Sequence, residues 1–181
     1  MEIEAKFLEI DVPLITQKLT DLGAKKEFDK VFKEWIFQGA GETQKEWEKT
    51  FKRIRIRDQE DKVFMTFKEN KKWGLSDTTE IEFEVSSAPK AKELLEASGI
   101  SEIRFQEKRR VHYELDHVDI EIDYWPGIPA LLEIEAKSEA EVKVTAKRLG
   151  LDFRKAVFID ARQVYKRYYG IDIMSMKELK F

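Results

Sequence analysis

Carboxylates recur at every second residue in four separate segments of this chain: Glu2 and Glu4; Glu80, Glu82 and Glu84; Asp119, Glu121 and Asp123; Glu133 and Glu135. Three other segments carry cations on one alternating face: Arg53, Arg55 and Arg57; Lys62 and Lys68, with Thr66 on the same face; Arg104, Lys108 and Arg110. With Lys6 and Lys137 the two sets balance at ten carboxylates against ten cations. Clustered arginines and lysines bind phosphate oxygens, Arg as a bidentate fork and Lys as a movable point charge. Clustered carboxylates bind Mg²⁺ or Mn²⁺, hard ions that prefer oxygen. Carboxylates alone would repel a polyphosphate, whereas a divalent ion between the two turns repulsion into bridging, the usual apparatus of phosphoryl transfer.

A two-residue period is the period of a β-strand whose faces differ. It is explicit in EIEAKF, KRIRIRD, KVFMTFK, EIEFEV, RFQEKRRVHYEL, VDIEIDY and LLEIEAK, and weaker in KKEFDKVFKEWIFQ, about 25 to 38, an eighth candidate. A solvated sheet face is the ordinary meaning of such alternation. Three acids in a row repel one another, however, which costs stability unless cations compensate. The expected fold is α+β, mainly β; if the strands close into a barrel with the charged faces inward and the helices covering the apolar exterior, both charge sets line one channel. Such an interior is too polar to pack dry and should form an open, wet tunnel. Four helices are predicted from their punctuation. Asp11 and Pro13 open the first, which Gly23 stops, with Leu14, Ile15, Leu19 and Leu22 on one side; Ser87 and Pro89 open the second, before Gly99. Ser138 and Glu141 have capping-box spacing before Gly150, and the last spans about 160 to 169, ahead of Gly170. GAGETQKEWEKT, about 39 to 50, reads as a loop.

Composition narrows the chemistry further. The 181 residues suit one domain over 1–181. Lys and Arg total 33 against 36 Asp plus Glu, a net charge of -3, so no nucleic-acid partner is expected. The chain has no cysteine, which removes disulfides, thiolate metal sites and a cysteine nucleophile. Two histidines, His112 and His117, are too few for a multi-histidine zinc site. No membrane partner is expected, because the chain opens on charged MEIEAKFLEID and holds no apolar run of membrane-spanning length. The expectation is a soluble, cytoplasmic protein, a monomer or homodimer.

Several of these segments match a known pattern. EIEAK at 2 to 6 resembles the ExExK signature of the CYTH superfamily, the triphosphate tunnel metalloenzymes, and the likeness continues in order. RIR at 55 to 57, TFK at 66 to 68, EIEFE at 80 to 84, KxR at Lys108 and Arg110, and an Asp ahead of LEIE at 132 to 135 all follow. The family includes class IV adenylate cyclases, thiamine triphosphatases and inorganic triphosphatases, and the resemblance implies a closed eight-stranded antiparallel β-barrel, a tunnel, with short helices packed on the outside. The resemblance implies that Glu2, Glu4, Glu133 and Glu135 ligate metal, with Asp123 beside them, and that these glutamates with Lys6 form the catalytic set. Lys6, Arg55, Arg57, Lys68, Lys108 and Arg110 match its phosphate-binding cations. Glu80 and Glu82 either approach a second ion or hold the arginines in place. Glu84, Arg53, Glu121 and Lys137 stand open between tunnel roles and salt bridges at its mouths. Arg162, Tyr165 and Lys166 give no clean match to the C-terminal basic or tyrosine position of the family.

The implied activity is a phosphohydrolase dependent on Mg²⁺ or Mn²⁺, acting on inorganic triphosphate or a small organic triphosphate such as thiamine triphosphate. One alternative is a class IV adenylate cyclase converting ATP to cyclic AMP and pyrophosphate. Another is a non-catalytic polyphosphate- or nucleotide-binding module. His112, on the cationic face of its strand, is expected to act as a hydrogen-bonding spacer. Trp35, Trp47 and Trp73 are expected in core or loop packing.

Overall fold

Each alternating segment forms a strand. The computed structural model describes residues 3–38, 52–70 and 78–181. The strands are β1 (Ile3–Phe7), β2 (Lys25–Gln38), β3 (Arg53–Asp58), β4 (Val63–Asn70), β5 (Thr78–Val85), β6 (Ser101–Leu115), β7 (Val118–Tyr124) and β8 (Leu131–Ala136). A ninth, β9 (Glu178–Leu179), runs parallel to β6 beside Phe105 and Gln106. Two residues are too few to show a period, so this strand had no sequence signature. Glu2, Trp47, Trp73 and the predicted loop at 39–50 lie outside the described residues.

The four predicted helices are α1 (Val12–Asp21), α2 (Ala88–Ala97), α3 (Glu139–Arg148) and α4 (Ala161–Tyr169). Each begins behind a side chain that accepts an otherwise unpaired backbone N–H: Asp11, Ser87, Ser138 and Asp160. Gly170 ends α4 at φ 68°, a left-handed turn that costs glycine little. Leu14, predicted on the buried side of α1, is instead 50% exposed. The helix meets the sheet through a narrower stripe, Ile15 and Leu19, one turn apart.

The described residues divide into two compact units, the first holding residues 3–30, 108–174 and 181, and the second 31–107 and 175–180. In the first, adjacent strands follow the order β1-β8-β7-β6, all antiparallel. One face of this sheet is apolar, with Ala5, Phe7, Val111, Tyr113, Ile120, Ile122, Leu132 and Ile134, and packs with Ile15 and Leu19 of α1 and Val142 and Ala146 of α3. In the second unit the order is β2-β3-β4-β5, again antiparallel. There Phe37 and Ile56 pack with Ala88, Ala91 and Leu95 of α2.

Along the whole chain the hydrogen-bonded order is β1-β8-β7-β6-β2-β3-β4-β5, with β9 branching from β6. The predicted mainly antiparallel sheet with its eight strands is therefore present. It has two ends, because the ladder partners of β1 lie on β8 and those of β5 on β4, and no ladder closes it into a barrel among the described residues. No helix among the described residues is long and apolar enough to cross a membrane.

The β6–β7 hairpin sets the register of the first unit's charged face. Its loop is Asp116 and His117, at φ 52° and 67°, between the paired residues Leu115 and Val118. Two consecutive left-handed residues give the turn whose twist matches that of the flanking strands. A slip of one residue would send every charged side chain on β7 into the apolar layer.

Tyr165, on α4, is fully buried, donates to the Pro126 carbonyl at 2.6 Å and meets the Trp125 ring edge-on. It is thus a core residue. Tyr165→Phe should destabilise the protein by about 1–2 kcal/mol, the cost of one lost buried hydrogen bond. Urea unfolding measures this, and an unchanged midpoint would show that the bond contributes nothing.

Candidate functional site

Register places the first unit's charges in rows across its sheet, because residues opposite one another on adjacent strands share a face. Glu4, Glu135 and Asp119 form one row across β1, β8 and β7. Lys6, Glu133, Glu121 and His112 form the next, continuing onto β6, and Asp123 faces Arg110 beyond it. These rows bring together Glu4, Lys6, Lys108, Arg110, Asp123, Glu133 and Glu135 from the predicted set.

The groups around Lys6 and Asp123 are not the solvated side of a sheet. Lys6, Lys108, Glu121 and Glu133 are each at most 8% exposed, and Asp123 is fully buried. Ionised groups so shielded persist only when paired. Asp123 accepts from Lys108 at 3.1 Å and from both Nε and Nη2 of Arg110 at 2.6 Å. Arg110 also donates to Glu133 at 2.9 Å and pairs with Glu121. Lys6 pairs with Glu4 and, at 3.2 Å, with Glu133. Lys108 lies over the Trp125 ring, 5.3 Å from its centroid.

Proton affinities follow from this packing. Burial alone would lower the pKa of Arg110, but the fields of Asp123, Glu121 and Glu133 outweigh it and hold the guanidinium charged. Burial likewise raises Glu133 and Glu121, yet Lys6 and Arg110 bring the first below the usual carboxylate range and Arg110 with His112 the second. His112 stacks on Phe28 and meets Glu121 through Nδ1 at 3.4 Å and Asp119 through Nε2 at 3.0 Å. The hydrogen bond to Glu121 raises its pKa against burial, with the carboxylates of Glu121 and Asp119 adding to it and Arg110 opposing.

In the second unit β3, β4 and β5 set cations against carboxylates. Glu82 accepts from Arg57 at 3.1 Å and from the Thr66 hydroxyl at 2.7 Å, with Arg55 at 3.9 Å. Lys68 pairs with Glu80 at 3.2 Å. Arg57 also lies over the Phe32 and Phe64 rings. Glu80 thus pairs with a lysine and Glu82 with Arg57.

Sequence reasoning missed Glu34. It sits on β2, 1% exposed, and accepts from Arg55 Nη1 at 3.1 Å and Gln106 Nε2 at 2.6 Å. The sign was a lone acid between Phe32 and Ile36 on the face they share, in the strand whose alternation was least clean. Asp119 was counted among the acids without being placed in the Glu4 and Glu135 row. Trp35, expected in packing, meets Phe105 at 5.3 Å.

Among the described residues no three His, Asp or Glu side chains are gathered closely enough to hold a metal ion by themselves. Mg²⁺ rarely needs such a cage, being held by one or two carboxylates, its own waters and substrate oxygens. Glu4 and Glu135, opposite in register and both partly open to solvent, are oxygen donors of that kind. The residues present therefore suit a hard divalent ion.

A sequence model of the CYTH domain matches residues 1–169. The chain belongs to the CYTH domain family. CYTH proteins are enzymes and generally metal-dependent, and this chain is similar to several over nearly its full length. A Methanocaldococcus jannaschii protein named "Putative adenylate cyclase" is 26% identical over 172 residues, 93% of this chain and 96% of that one. The PH1012 protein of Pyrococcus horikoshii is 26% identical with a TM-score of 0.72, over 88% of this chain and 96% of that one. A Hippeastrum protein described as a "Putative adenylyl cyclase" that reveals "a dominant" triphosphatase activity shares the fold at a TM-score of 0.60 and 17% identity, over 94% and 96% of the two chains.

In the CYTH chain the raised pKa of His112 makes one row pH-sensitive. Folded His112 holds its proton above the ordinary value of 6.5, so its stabilising effect is complete below 6.5 and fades as pH rises through the folded pKa. The stability gap between the wild type and His112→Gln should therefore be larger at about pH 5.5 than at about pH 8.5. Urea midpoints at the two values test this; equal gaps would mean that His112 contributes no charge.

Proposed function

We propose that this protein is a divalent-metal-dependent phosphohydrolase of triphosphates, taking inorganic triphosphate or a small organic triphosphate such as thiamine triphosphate. The observation that carries the reading is the pairing of Glu4 with Glu135 in register beside the buried pair Lys6 and Glu133, the latter also bonded to Arg110. Carboxylates suited to a metal and cations suited to a phosphate share one sheet face, which supports this reading. A single domain over 1–181 and a closed eight-stranded tunnel are what the family resemblance implies, and they belong to this proposal.

In it Glu4, Glu133 and Glu135, with Glu2, hold Mg²⁺ or Mn²⁺. The bound ion would supply Lewis-acid polarisation of a phosphoryl oxygen and a more acidic water. Asp123, clasped by Lys108 and Arg110, fixes those cations beside the glutamates. Lys6 is a point charge on a flexible stem between Glu4 and Glu133, free to follow a phosphate oxygen as charge moves to the leaving group. Arg55, Arg57 and Lys68 supply the second unit's phosphate donors.

A cyclase reading has its own support in the name of the Methanocaldococcus jannaschii relative. In that case a ribose hydroxyl of ATP replaces water and pyrophosphate leaves. The Hippeastrum protein, described with both a cyclase name and a triphosphatase activity, supports giving hydrolysis precedence.

Phosphorus NMR with Mg²⁺ or Mn²⁺ separates the two: orthophosphate plus pyrophosphate from inorganic triphosphate is expected, whereas a cyclic phosphodiester resonance from ATP would move the assignment to the cyclase. Glu4→Gln and Glu135→Gln should each lower kcat by roughly 100-fold or more in a folded protein. Full activity in both would overturn the metal assignment. Arg57→Ala should weaken transition-state binding by about 2–4 kcal/mol, read as kcat/KM for triphosphate.

A further inference from the structure

We propose that Glu34 is the positioning residue of the Arg55 phosphate clamp, fixed in turn by Gln106 and Arg104. This deepens the reading above and rests on Arg55 being a phosphate ligand.

Glu34 is among the most deeply buried charged groups of the second unit, on a strand face where its neighbours are Phe32 and Ile36. An apolar residue would fill that position at lower desolvation cost, so a carboxylate there calls for a role beyond packing. Its register partner on β3 is Arg57, and it also reaches the diagonal neighbour, accepting from Arg55. Arg57 donates to Glu82. Both guanidinium groups lie within ion-pair reach of Glu82, and the hydrogen bond to Glu34 gives Arg55 an anchor on a second carboxylate.

The network has one direction. Arg104 Nε donates to Gln106 Oε1 at 3.0 Å, so the Gln106 amide presents its NH₂ to Glu34 Oε2, while Glu34 Oε1 accepts from Arg55 Nη1. Flipping the Gln106 amide would set its oxygen against the carboxylate and its NH₂ against the arginine. Arg104 and Gln106 are each 4% exposed, and chains of this kind strengthen one another where water is excluded. The chain ends at Arg55, whose Nε is shielded from solvent and has no hydrogen-bond partner among the described residues. An unfilled donor at the end of an otherwise satisfied network marks where an anionic ligand would complete it. Glu34 anchors one nitrogen of that guanidinium and so limits its rotation before a phosphate arrives, which lowers the ordering cost of binding.

The test is calorimetric titration with inorganic triphosphate in EDTA, so that neither metal nor turnover enters, with circular dichroism to verify folding. Arg55→Ala should weaken binding, and Glu34→Gln should weaken it about tenfold. The swap Glu34→Gln with Gln106→Glu rebuilds the same donors and acceptors with the same net charge and should return affinity to within about threefold of the wild type. In an Arg55→Ala background Glu34→Gln should change affinity by less than about twofold. Wild-type affinity in Glu34→Gln, failure of the swap to restore binding in a folded protein, or an equal loss with and without Arg55 would each overturn the positioning role while leaving Arg55 as a ligand. Wild-type affinity in Arg55→Ala would overturn the phosphate reading of Arg55 and this inference with it. If Glu34→Gln does not fold, Glu34→Asp, which draws the carboxylate back by one methylene, and the swap variant decide in the same way.

Discussion

Charge that is buried must be cancelled locally, and this constraint shapes both units. In the first, Arg110 carries most of it, meeting Asp123, Glu121 and Glu133 from two strands. Each of those carboxylates would be expensive to keep ionised without a guanidinium beside it, and the guanidinium would be expensive without them. The second unit divides the task, with Glu82 taking Arg57 and Glu34 taking Arg55. One face of each sheet is thereby committed to ion pairs, leaving the opposite face and its helices to supply the apolar burial. The apolar layer of the first unit is accordingly continuous, from Ala5 and Phe7 through Ile120 and Ile134 to the stripes of α1 and α3.

In the proposed phosphohydrolase a triphosphate would bring acceptors for Lys6 and a divalent ion would bring charge for the carboxylates left behind, so that ion pairs would be exchanged on the first unit's polar face. Its geometry is set by ladder register, which the Asp116–His117 turn fixes for β6 and β7.

Much of this was legible in the sequence. Strict alternation with pure charge on one face gave the strands nearly to their ends, since a two-residue period survives any tertiary context that buries one face of a sheet. Helix starts were readable because Asp11, Ser87, Ser138 and Asp160 each carry an oxygen suited to a free N–H. Glu34 was obscured because β2 buries apolar residues on both faces: Phe32 and Ile36 beside the charges, Phe37 in the helical layer. Pairing partners were also unreadable. That Lys6 meets Glu4 and Glu133, and Asp123 meets Lys108 and Arg110, depends on which strands adjoin and in what register, and alternation is silent about both. Tyr165 belongs to the same class, since a tyrosine on a polar helix looks alike whether its hydroxyl meets a ligand or the Pro126 carbonyl.

The pairing of β1 with β8 joins Lys6 to Glu133 across most of the chain. During synthesis the first strand must wait until the eighth has left the ribosome, so the row of Glu4 and Glu135 is among the last features to assemble. Until then Ala5 and Phe7 lack their partners, and the nascent chain carries an apolar edge ahead of its own completion. Order of emergence, rather than final stability, then sets how long the growing protein depends on being kept from its neighbours.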